Sequence, residues 1–194
     1  MRFWLWLTTG MKTKEWVAIH RKHHKNTDRT EDPHSPIVYG IKRVLFKGAL
    51  LYNQASKDQA MVNAYGVGTP NDWIERNLYT PYHRLGILLM LVIDLVLFGP
   101  WGLLVWGVQM LWIPFWAAGV INGIGHWWGY RNHATRDNSR NIVPWGIIVG
   151  GEELHNNHHR NPASPKLSSK IWEIDIGYIW LGLFRLLRLA KLAK

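Results

Sequence analysis

From Trp101 to Ile121 the chain reads WGLLVWGVQMLWIPFWAAGVI, 21 residues without a charge. At about 1.5 Å of rise per residue this run extends about 31 Å as a helix, close to the hydrocarbon thickness of a bilayer. Just before it, Leu85 to Phe98 reads LGILLMLVIDLVLF, with Asp94 as its only charge. Gly99-Pro100 lies between the two runs and is a turn signal, so the pair predicts a very tight helical hairpin. The first run is short for a span and needs Tyr82 to Arg84, or local bilayer thinning, to cross. Pro114 would break a soluble helix, whereas a membrane helix tolerates such a kink. A buried soluble hairpin is the competing reading, and run length and flanking charge weigh against it.

Residues 1–81 carry 12 basic and 7 acidic side chains, residues 122–194 carry 10 and 5, and the tip 98–102 carries none. Positive flanks around a neutral tip place both flanks, and both termini, on the cytoplasmic side. Membrane topology therefore explains the net charge of +10 better than nucleic acid does. The expected architecture is an all-α membrane protein with a transmembrane hairpin over 82–121. Cytosolic segments 1–81 and 122–194 would form a helical cap. Asp94 should face protein rather than lipid, because a carboxylate at mid-bilayer is costly. Phe3-Trp4-Leu5-Trp6-Leu7 is too short to span and looks like a chain entered partway through a hydrophobic element. From Trp180 to Lys194 apolar clusters alternate with Arg185, Arg188, Lys191 and Lys194, a pattern suited to an in-plane helix on anionic lipid.

The chain has no Cys, which excludes disulfides, thiolate metal sites and thiol nucleophiles. It has ten His, and they are not scattered. His20-Arg21-Lys22-His23-His24 and His155-Asn156-Asn157-His158-His159 both read H-x-x-H-H. On a helix these positions fall within about 100° of arc, so each box should present three imidazoles on one face. Two such boxes arise by chance in roughly one chain in three thousand of this histidine content. They are 131 positions apart with the hairpin between them. Two spans return the chain to its starting side, so both boxes can meet there. Asn122 and His126 are four apart at the end of the second span, and His126 joins the candidate ligands. Seven imidazoles are too many for one ion and point to two, and residue type alone leaves Zn, Cu, Fe and Ni open. Glu152 and Glu153 are placed to orient ligating imidazoles through their free N–H, and Asp32 and His34, at a turn, are further candidates to support the ligands. His83 and His133 look like loop or interface residues.

Together HRKHH (20–24), EDPHSP (31–36), NGIGH (122–126), WGYRN (128–132) and GEELHNNHH (151–159) resemble the membrane fatty-acyl desaturases, particularly the bacterial Δ9 acyl-CoA type. The resemblance implies a membrane helical core under a cytosolic cap, in the bacterial inner membrane. It implies two iron ions held by His20, His23, His24, His126, His155, His158 and His159, with Asn122 acting through a water. The implied reaction is O2-dependent introduction of a cis double bond into a saturated chain. The substrate would be acyl-CoA or acyl-lipid, and the electron donor of ferredoxin, rubredoxin or cytochrome b5 type.

The family pattern has nine His, and two of them form an H-x-x-x-x-H box before the one matching His20. Only 19 residues precede His20 here and none is His. The expectation is therefore the carboxy-terminal portion of a desaturase, truncated and inactive alone. The competing functions are a di-iron membrane hydroxylase and a non-catalytic, metal-binding membrane protein.

Overall fold

The computed structural model describes residues 2–191. Among them ten α-helices follow one another: α1 Arg2–Thr9, α2 Thr13–Asn26, α3 Pro36–Tyr39, α4 Ile41–Ala55, α5 Gln59–Tyr65, α6 His83–Phe98, α7 Gly102–Phe115, α8 Asn122–Ile124, α9 His155–Arg160 and α10 Ile176–Leu186. The expectation of an all-α chain needs one correction. Two short strands, β1 Trp145–Gly146 and β2 Ile174–Asp175, pair in parallel. Both lie in loops around the second histidine box, where extended backbone needs partners for its amides.

Helical backbone runs without interruption from His83 to Ile124, and this 42-residue stretch is long and apolar enough to cross a membrane. It is not straight. At Gly99 the backbone takes φ 59°, a left-handed value that costs glycine little. Beyond that point Gly102 packs against the Asp94 carbonyl, and a Cβ there would sit 2.3 Å from its oxygen. Trp106 Nε1 donates to the Ile87 carbonyl at 3.0 Å, a contact that a straight helix would place about 28 Å apart. The outer faces of α6 and α7 leave Val96, Leu97, Leu104 and Leu111 exposed. Asp94 is buried, as expected for a carboxylate in an apolar run.

The remaining helices gather at the other end of this stretch. Helix α1 buries Trp6 and Leu7 against α6, where Gly86 admits the Trp6 backbone and Trp6 Nε1 donates to the Tyr82 carbonyl. Small residues bring α4 against the helix after α7: a Cβ on Gly48 would lie 2.0 Å from the Ala118 carbonyl oxygen. Helix α2 carries the first histidine box. Its inner face, Ala18 and Ile19, packs on Met61 and Val62 of α5. That packing fixes the rotation of α2 and so the direction of its histidines.

Helix α10 is capped by Asp175, whose Oδ1 accepts the Tyr178 amide hydrogen. It buries no residue fully, and Ile179, Trp180, Leu183 and Leu186 are exposed. The regular helix stops at Leu186, and the final three positions of the interfacial pattern lie outside the described residues.

Candidate metal centre

Helices α2 and α9 come together with the loop after α8, and seven imidazoles converge in two groups. His23, His126, His155 and His159 form one group, and His20, His24 and His158 the other. In the second group the three Nε2 atoms form a triangle with sides of 2.9, 3.1 and 3.2 Å. Two nitrogens at right angles around an ion, each about 2.1 Å from it, lie about 3.0 Å apart. The triangle therefore fits one face of a coordination sphere. In the first group His126 Nε2 is 3.0 Å from His155 Nε2, and His23 Nε2 is 3.3 Å from His159 Nε2.

Spacing suggested one shared face for each box, and the structure corrects this. His20 and His24 join the three-imidazole group, but His23 joins the four-imidazole group. In α9 the split is reversed, with His155 and His159 in the larger group and His158 in the smaller. At about 100° per residue, positions i+3 and i+4 diverge to opposite sides of i, so one box serves two centres.

Carboxylates hold the opposite nitrogens. His23 Nδ1 lies 2.9 Å from both oxygens of Asp32. His126 Nδ1 is 3.3 Å from Asp28 Oδ2, and His159 Nδ1 is 3.1 Å from Asp137 Oδ2. Each carboxylate is itself fixed. Asp32 accepts the amide hydrogens of Asp28 and His34, Asp28 those of Asn138 and the Ser35 hydroxyl, and Asp137 that of Ser139. A proton on Nδ1 leaves the Nε2 lone pair facing inward. Two inward lone pairs about 3 Å apart repel each other, so the donor set suits a cation between them.

Electrostatics point the same way. Burial lowers His20 and His155 to about 4 and His24 to about 2, and it carries His23 and His159 well below the ordinary imidazole value. Charge on neighbouring imidazoles adds to the effect. These rings are neutral at pH 7 and free to donate a lone pair. Burial opposes ionisation of Asp28, but its bonds to His126 and the Asn138 amide outweigh that and hold it well below the usual range. Asp32 is raised by burial, against the pull of His34 and its backbone amides.

The other candidates fall out as follows. Glu152 Oε2 is 3.9 Å from His155 Nδ1, too long for a hydrogen bond but close enough for attraction. Glu153 departs from the expected role: its Oε1 accepts the Ile148 and Val149 amide hydrogens and shapes the loop before α9 instead of holding an imidazole. His34 is buried beside His23, ring centroids 4.4 Å apart, and its Nε2 has no hydrogen-bond partner. Asn122 is half-buried one turn before His126. Neither His83 nor His133 joins a group, and His133 Nε2 pairs with the Ser169 hydroxyl. Asp28 and Asp137 went unnoticed in the sequence. Asp28 lies in the turn directly after α2 and had a positional signal, whereas Asp137 had none.

A helical chain with an apolar base and two convergent histidine groups is what the fold and site define. Residues 1–167 match the model of the family described as fatty acid desaturase, and the chain belongs to that family. It is 31% identical to the sn-1 stearoyl-lipid 9-desaturase of Synechocystis sp. over 91% of this chain and 54% of the relative. The sn-1 stearoyl-lipid 9-desaturase of Anabaena variabilis is 30% identical, over 93% of this chain and 64% of its own length. A hex-5-enoyl-[acyl-carrier protein] acetylenase of Moorena producens is 31% identical over 85% of this chain and 56% of its own. The chain thus spans a little over half the length of these curated relatives.

Proposed function

We propose that this chain holds the di-iron centre of an O2-dependent fatty-acyl desaturase. The observation that carries the reading is the pair of inward-facing Nε2 sets, four and three, with carboxylates behind three of the rings. His23, His126, His155 and His159 would hold one iron. His20, His24 and His158 would hold the other, with Asn122 acting through a water. The reaction joins –CH2–CH2–, O2, two electrons and two protons to give –CH=CH– and two water molecules. The irons supply the oxidising power for breaking unactivated C–H bonds. The chain's own residues do the rest. Asp28, Asp32 and Asp137 keep protons at Nδ1, and the packing that leaves His23, His126 and His155 only 1% exposed keeps bulk water away.

The substrate is an acyl chain on CoA or lipid, and the two electrons come from a ferredoxin, rubredoxin or cytochrome b5 type donor. Helices α6 and α7 insert as a hairpin of two spans, with both termini and the histidine cap on the cytoplasmic side of a bacterial inner membrane. The exposed apolar residues of α10, with Arg185 in its last turn and Arg188 and Lys191 beyond it, lie along the anionic lipid surface.

The test is to express the chain, alone and joined to an upstream segment carrying the H-x-x-x-x-H box, with a reductase system, supply a saturated acyl substrate, and measure monounsaturated product and iron. Alkene that disappears with His24→Ala supports the reading. Alcohol as the product would assign a hydroxylase instead, and neither product with no bound iron would refute the desaturase reading.

A further inference from the structure

Helix α9 supplies three of the seven imidazoles and feeds both groups, yet it has only six residues and no side-chain cap at its start. So short a helix does not hold its own geometry in water. Its two asparagines, which ligate nothing, are what lock it. Asn156 Oδ1 accepts the amide hydrogens of Asn132 and His133 at 2.9 and 2.8 Å, and its Nδ2 donates to the His133 carbonyl. The Asn157 amide donates to Asn141 Oδ1, and Asn157 Oδ1 accepts from the Nδ2 groups of Asn132 and Asn141. Asn157 Nδ2 then donates to Glu173 Oε2 at 2.9 Å.

Glu173 is the hub of this network. It is buried, and every group facing it is a donor. On Oε1 it receives the Tyr130 hydroxyl and Asn132 Nδ2, both at 2.6 Å. On Oε2 it receives the Ser169 and Lys170 amides, at 2.6 and 2.9 Å, besides Asn157. Two acceptor oxygens meet five close donors, so truncating this side chain would strand several buried polar groups at once. Glu173 also lies beyond residue 167, where the family match ends.

We propose that Glu173 is the positioning residue of the metal centre, setting through Asn157 the placement of α9 and hence of the imidazoles of both groups. The proposal rests on the di-iron reading for its consequence, but the contact it invokes exists without metal. Two readouts keep them apart. The first is amide hydrogen exchange at 155–160 in the metal-free full chain in detergent. The second is Fe(II) titration of the same proteins under anaerobic conditions. The variants are Glu173→Ala, Glu173→Gln and, as control, Glu75→Ala. Glu75 is a buried carboxylate that binds Arg2 of α1, Thr80, and Thr13 at the start of α2.

Glu173→Ala should speed exchange at 155–160 at least tenfold and weaken iron at both positions by about 10–100-fold. Glu173→Gln should fall between it and the parent, since one oxygen still accepts while the new NH2 meets donors. Glu75→Ala should leave 155–160 unchanged. If Glu173→Ala does not fold, the Gln variant read on the same amides decides. Unchanged exchange at 155–160, an effect equalled by Glu75→Ala, or weakening at one iron position alone would overturn the proposal. A parent chain that takes up no iron while the exchange effect holds would defeat the di-iron reading and leave the role of Glu173 in holding α9 intact.

Discussion

His24 Nε2 stands 2.9 Å from His158 Nε2, although 134 positions of sequence separate them. One residue belongs to the segment before the apolar helical stretch His83–Ile124 and the other to the segment after it. An ion bound between them would tie the two segments together. Metal removal should therefore lower the thermal midpoint. A ligand at 100 times its Kd contributes about 2.7 kcal/mol of stability by mass action. Thermal unfolding in detergent, with iron and with a chelator, should show a lower midpoint after chelation. Equal midpoints would mean that the histidines are tied together by protein contacts alone.

The carboxylates behind the first group should matter to that group only. Asp137→Asn removes the charge that holds His159 Nδ1, and His159 serves the four-imidazole position. The expected result is about 10–100-fold weaker binding at one of two iron positions, with the other unchanged. A two-phase chelator titration reads this directly.

For the metal-free chain the lowered histidine pKa values set a pH dependence. His20 and His155 fall to about 4 when folded against the ordinary imidazole value of 6.5, so between those values the unfolded chain binds more protons. Stability is then present above pH 6.5 and declines as pH falls toward 4. Urea unfolding of the metal-free chain at a series of pH values should show the midpoint falling across that window. A midpoint that rises there would contradict neutral, buried imidazoles.

Hairpin topology can be read by labelling, because the chain has no native Cys. Gly99 lies between α6 and α7, but its φ of 59° would strain any side chain there. Trp101 is exposed and is the better position. Trp101→Cys should react with an impermeant thiol reagent only from the non-cytoplasmic side, and Ser168→Cys only from the cytoplasmic side. Labelling of both from one side would rule out the two-span arrangement.

Much of this was legible in the chain because composition and spacing carry it. The 101–121 run announces an apolar helix, and the two H-x-x-H-H boxes announce convergent imidazoles. What spacing could not give was the division of each box between two groups, since that depends on how far α2 and α9 are rotated toward each other. The rotation of α2 is set by Ala18 and Ile19 against Met61 and Val62, and that of α9 by Asn156, Asn157 and Glu173. These contacts join distant parts of the chain and leave no periodic trace. Asp137 and Glu173 lie in loops for the same reason, and Glu153 misleads because nearness in sequence to His155 is not nearness of its oxygens.

The most direct test is iron per chain, counted after anaerobic loading in the parent and in three variants. The account predicts two irons in the parent and one after His158→Ala, which removes a ligand from the three-imidazole position. It also predicts one after His126→Ala, which acts on the four-imidazole position, and two after Arg160→Ala, a change at an exposed residue next to the second box. Equal iron in all four proteins, or equal loss in His158→Ala and Arg160→Ala, would contradict a centre built from these seven imidazoles.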